Sequence, residues 1–167
     1  MQKASVESIV AALESARVRY LIAGGLAVVA HGVVRFTADV DLILAVDQPN
    51  LRSAIAALGA LGYQPRAPVP FAQFADPAVR RSWATQKNMT VFSLFSPQHS
   101  ATEVDLFLEP PIDFDAAVSR AVRMEISPGV LATFCCVDDL IEMKQKVGRP
   151  QDLADIAELK CIRGIMP

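Results

Sequence analysis

Apolar positions recur along this chain with two periods, and the alternation between them sets out its elements. From Ser5 to Ala16, the residues Val6, Ile9, Val10 and Leu13 fall at i, i+3, i+4 and i+7, which predicts a helix with one buried face. Val18 to Ala23 is almost wholly apolar after Arg19, as in an interior strand covered on both faces. An Ala- and Val-rich helix follows Gly24-Gly25 and stops at His31-Gly32, and Val40 to Val46 returns to the sheet. Asn50 to Leu61 repeats the helical spacing through Leu51, Ile55 and Leu58. The four prolines between Pro65 and Lys87 predict loop with one short helix over 77–83. Met89 to Phe95 and Val104 to Leu108 read as antiparallel neighbours, Asp113 to Ser119 as a helix and Ala121 to Ile126 as a further strand. Asp138 is the expected cap of a helix over 139–147, and Gly148-Arg149-Pro150 ends it and opens another to about Ile162. Mixed strands and helices without internal repeats predict one α+β domain over residues 1–167, a mixed sheet flanked by helices with two helices at the C-terminal end.

Composition narrows the class. The 167 residues are 52% hydrophobic and 20% charged, the balance of a globular chain with a full core. A net charge of −2 leaves no basic surplus for gripping nucleic acid, so any such contact must be local. There is no signal-peptide h-region and no run of about 20 apolar residues, from which the expectation is a soluble cytoplasmic protein with no membrane partner. Cys135, Cys136 and Cys161 have no metal-ligand spacing and read as thiols in a reducing compartment.

The chemistry concentrates in Tyr20 to Leu44, YLIAGGLAVVAHGVVRFTADVDLIL. Asp39 and Asp41 lie in an apolar strand, where carboxylates require a cation. At i and i+2 they point to the same face, which favours a divalent ion between them, and hard oxygen ligands favour Mg²⁺ or Mn²⁺. Gly24-Gly25, at a strand-to-helix turn, gives backbone N–H groups access to an anion. A phosphate cradle beside a carboxylate pair suits a nucleoside triphosphate such as ATP.

With His31-Gly32 and Arg35-x-Thr37-x-Asp39-x-Asp41, this block resembles the signature of nucleotidyltransferase-fold proteins of the DNA polymerase β superfamily, in its AbiEii-like abortive-infection toxin branch. The resemblance implies a third carboxylate on a later strand. Asp105 is the candidate, with Glu103 sharing its face. It further implies two metal ions held by Asp39, Asp41 and Asp105, with these three as the catalytic residues and Asp105 as third ligand or base. Gly24, Gly25, Arg35, Thr37 and Lys144 would be nucleotide-binding. Arg35 would alternatively hold the Asp strand, and Thr37 would bond Asp39 or the loop backbone. The run Lys144 to Asp155 looks like the branch's closing motif, in which Arg149, Asp152 and Asp155 would support the site. Asp152 would equally serve a helix start, and Asp155 would pair with Lys144 or Arg149. His31 reads as a structural histidine and Trp83 as core, while Arg80 and Arg81 stay open between acceptor contact and exposed helix.

The implied activity is transfer of NMP from an NTP to a hydroxyl on RNA, protein or a small molecule, in a toxin–antitoxin setting. Larger members carry extended helical regions for the acceptor. Here the middle segment, a second copy or another protein such as an antitoxin would serve instead. The alternative is a catalytically silent nucleotide-binding or partner-binding module. A phosphohydrolase of the D-x-D-x-[TV] type is remote, because Leu42 stands at the position of its Thr or Val.

Overall fold

The computed structural model describes residues 1–164. The helices are α1 (Lys3–Ser15), α2 (Gly24–Ala30), α3 (Gln48–Ala60), α4 (Pro77–Lys87), α5 (Phe114–Arg120), α6 (Val137–Val147) and α7 (Pro150–Ile162). The strands are β1 (Tyr20–Ile22), β2 (Asp39–Leu44), β3 (Gln64–Pro65), β4 (Val91–Phe95), β5 (Glu103–Phe107), β6 (Val122–Ser127) and β7 (Val130–Phe134). They form one mixed sheet in the order β3-β4-β5-β2-β1-β7-β6. The fold is α+β, as the sequence pattern predicts, and α6 and α7 are its two C-terminal helices.

Centrally, β1 and β2 are antiparallel, with Ile22 opposite Leu42, and β2 runs parallel to β5, which places Asp41 beside Asp105. One face of β4 and β5 buries Phe92, Leu94, Val104 and Leu106. Trp83 of α4 stacks on Phe92 with centroids 4.9 Å apart, so it belongs to the core as expected. Arg80 is settled in the same way. It is 2% exposed, and it donates to the Leu108 carbonyl at 3.1 Å and the Phe74 carbonyl at 2.8 Å. These bonds satisfy the buried cation and remove it from any acceptor contact. Arg81 is exposed.

Several elements depart from the sequence reading. The proline-rich middle carries a 3₁₀ turn over Phe71–Ala75, and α4 runs on to Lys87, with Asp76 accepting from the Ala78 N–H at 2.8 Å as its cap. Helix α6 begins at Val137 after a Cys136 cap that has no side-chain bond. Asp138 lies inside its first turn and pairs with Arg163, so its carboxylate favours the helix dipole without capping. Strand β7, unanticipated, pairs antiparallel with β6 and meets β1 in parallel where Ile22 faces Phe134. Among the described residues, no helix is long and apolar enough to cross a membrane.

Candidate functional site

A cavity of about 410 Å³ opens where β2 and β5 meet the turn after β1 and the helices α6 and α7. The sheet brings Asp39, Asp41 and Asp105 to one side of it, and Gly24, Gly25, Arg35, Thr37 and Lys144 also line it. Chain segments far apart in sequence thus converge on one cavity.

The acidic side is electrostatically unfavourable as it stands. Burial, then the neighbouring charges of Asp105 and Asp39, push the Asp41 carboxyl up to about 6, offset in part by the Gly25 backbone N–H and by Lys144. Asp39 is raised by burial and by Asp105 and Glu103. One oxygen of Asp105, Oδ1, is buried without a hydrogen-bond partner. An orphaned buried carboxylate oxygen beside two other carboxylates is a donor set for a hard divalent ion. Among the described residues, no three His, Cys, Asp or Glu side chains converge closely enough to enclose an ion. Glu103 is engaged elsewhere, accepting from Arg66 Nε at 2.9 Å, which leaves Asp105 as the third carboxylate of the set.

The glycine turn is built around Asp41. Gly24 has φ +57°, and a Cβ added there would lie 1.8 Å from Asp41 Oδ2. At Gly25 it would lie 2.5 Å from Thr37 Oγ1 and 3.2 Å from an Arg35 guanidinium nitrogen. Both positions therefore exclude side chains for steric reasons, and Gly24 also for its backbone. Gly24→Ala is expected to cost about 1–2 kcal/mol through the left-handed backbone alone, and more by displacing Asp41. Urea denaturation of the variant, with stability unchanged as the contrary result, checks this.

The basic side is organised by the carboxylates of α7. Lys144 is 7% exposed and donates to Asp152 Oδ1 at 3.1 Å and Asp155 Oδ2 at 2.6 Å. Its charge is shared between two buried carboxylates, one of them the Asp155 that the sequence reading offered as its partner. Arg35 does not hold the Asp strand. It donates to Asp155 at 2.6 Å and to the Phe36 carbonyl at 3.2 Å, tying the loop before β2 to α7. Arg149 donates to Asp152 Oδ2 at 2.8 Å while its side chain stays 72% exposed. Burial raises the Asp152 carboxyl, but the bonds from Arg149 and Lys144 outweigh it and hold the group below its ordinary value. Arg149, Asp152 and Asp155 thus form a network that fixes α6, α7 and the Arg35 loop beside the cavity. Arg149 and Arg35 keep guanidinium surface toward the cavity, and Arg149 is the more accessible.

Thr37 lies on the loop before β2, packed at Gly25. His31 ends α2, with Nε2 2.8 Å from the Cys135 carbonyl, a structural contact that joins it to the end of β7. The sequence reading missed the apolar wall formed by Phe107, Leu140, Met143 and Val147. Phe107 had a signal, since it stands two residues beyond Asp105 on the same face of β5. The α6 residues had none, because helical spacing does not tell which neighbour a helix will cover. No protein-family model matches the chain, and no curated protein matches it.

Proposed function

We propose that the chain is a metal-dependent nucleotidyltransferase of the DNA polymerase β type, moving NMP from an NTP to a hydroxyl acceptor with release of pyrophosphate. The observation that carries the reading is the in-register placement of Asp41 beside Asp105, one oxygen of which is buried and unpartnered, at a glycine turn that closes on Asp41. Asp39, Asp41 and Asp105 would hold Mg²⁺ or Mn²⁺, which when bound neutralises phosphate charge and lowers the pKa of the attacking hydroxyl. The chain's own groups do the rest. Asp105 accepts the acceptor's proton, the exposed guanidinium of Arg149 and the inner edge of Arg35 face the polyphosphate, and the apolar wall takes a flat or aliphatic part of the substrate.

A second reading, a module of the same fold that transfers nothing and works through a partner, has one observation in its favour: Lys144 is engaged by Asp152 and Asp155. Calorimetric titration with each of the four NTPs, with Mg²⁺, with Mn²⁺ and with EDTA, tests the proposal beside the Asp39→Asn, Asp41→Asn double variant. Metal-dependent binding that disappears in a folded double variant is the expected result. NTP binding that survives both substitutions would overturn the assignment of the carboxylates.

A further inference from the structure

The strands β4 and β5 alternate between buried and half-buried positions, so they have one packed face and one open face. The packed face holds Phe92, Leu94, Val104 and Leu106. The open face carries Val91, Ser93 and Phe95 on β4 and Glu103, Asp105 and Phe107 on β5. The register fixes their arrangement: Ser93 faces Asp105, which faces Asp41, and Val91 faces Phe107. On the far side Gln64 of β3 faces Phe95. The open face is therefore continuous with the acidic site, and Asp105 stands at the junction.

Two features give this face a chemistry. The Arg66 guanidinium lies over the Phe95 ring, 5.8 Å from its centroid, and is held there by Glu103. Its side chain is 55% exposed, so the stack is open to solvent. A half-open aromatic ring beside an exposed guanidinium plane is a surface on which nucleobases stack. From strand spacing and rise, Phe95 stands about 8 Å from Asp105.

We infer that the open face of β3, β4 and β5 is the acceptor platform, and that it takes the end of a single-stranded nucleic acid. The base rests on Phe95 and Arg66, and the ribose hydroxyl reaches Asp105. The separation favours a nucleotide over a protein side chain: a nucleotide carries a planar group and a hydroxyl several ångströms apart, whereas serine and threonine have no planar group and tyrosine carries its hydroxyl on the ring itself. The role given to Asp105 rests on the nucleotidyl-transfer reading. The stacking surface does not.

The test is fluorescence anisotropy of a labelled oligoadenylate, with metal and without NTP, against wild type, Phe95→Ala, Phe95→Tyr and Arg66→Ala. NTP titration of the same variants runs alongside. Wild type is expected to bind, with a shallow salt dependence because a single arginine contributes. Phe95→Ala should weaken binding roughly tenfold or more, and Phe95→Tyr should restore it. NTP binding should be unchanged in both Phe95 variants. If Phe95→Ala does not fold, Phe95→Leu removes the ring and keeps the apolar bulk. No oligoadenylate binding to wild type, or equal binding by folded variants lacking the ring, would overturn the platform. So would capture of a Ser- and Tyr-bearing peptide in place of the oligonucleotide. Oligonucleotide binding through Phe95 without any NTP binding would uphold the platform and refute nucleotidyl transfer.

Discussion

Asp41→Asn is expected to make the metal-free protein more stable at about pH 7 while eliminating metal-dependent nucleotide binding. The Asp41 carboxyl titrates at about 6, raised from 3.8 first by burial and then by Asp105 and Asp39. The folded chain therefore holds this proton more tightly than the unfolded chain does. The sign follows: the stabilising contribution is fully present below the unfolded value and is lost as pH rises toward 6. Near neutrality the charged form costs up to about 3 kcal/mol, because each tenfold gain in proton affinity on folding corresponds to about 1.4 kcal/mol. Asparagine keeps the shape and still accepts from the Gly25 N–H, but carries no charge to repel Asp39 and Asp105. Urea denaturation should show a gain of about 1–3 kcal/mol at about pH 7, narrowing at about pH 5 where wild type holds its proton. For the same reason Mg²⁺ affinity of wild type should fall below about pH 6, because binding must displace that proton. A variant less stable than wild type near neutrality would mean that this carboxylate gains more from its contacts than its charge costs.

Lys144→Ala is expected to lose about 3–5 kcal/mol of stability, the range for removing one partner of a buried ion pair. The lysine is the cation between Asp152 and Asp155, whose side chains are 2% and 1% exposed. Without it, Arg149 and Arg35 each reach only one of the two. Asp152 is held below its ordinary value by Arg149 and Lys144, so its contribution is present above the unfolded carboxylate value and disappears as pH falls through the lower, folded one. The deficit in the alanine variant should accordingly shrink in acid. Lys144→Arg should recover part of it. Denaturant melts across pH make the measurement. An alanine variant that keeps wild-type stability and loses only NTP affinity would return Lys144 to the triphosphate.

These two residues show what was legible in the sequence. Asp41 declared itself because a D-x-D inside an apolar strand violates the pattern around it, and the period of two fixed which face both carboxylates share. The glycine turn was legible from its place between a strand and a helix, and Asp105 through the family resemblance together with its apolar neighbours. Lys144 was read in part: its pairing with Asp155 was among the alternatives, but nothing in the periodicity of α6 says that its lysine will be enclosed by Asp152 and Asp155 together. Arg35 was half-read: its place at the cavity was evident, but its bond to Asp155 depends on where α7 docks. Strand β7 was overlooked although Ser127-Pro128-Gly129 between two β-rich runs is a hairpin signal. Arg80 stayed open because burial of a charged residue depends on carbonyls of Phe74 and Leu108 that only tertiary packing supplies.

The parallel alignment of β2 with β5 bears on the lifetime of the native state. The connection between these strands includes α3, β3, the 3₁₀ turn, α4 and β4, so closing it is a long-range event. Asp41 and Asp105 cannot meet until that closure is complete, and their repulsion is felt late on the folding route. Charge changes at this cluster should then alter the rate of unfolding far more than the rate of folding. The acidic cluster would govern how long the native state persists, with little influence on how fast it is reached.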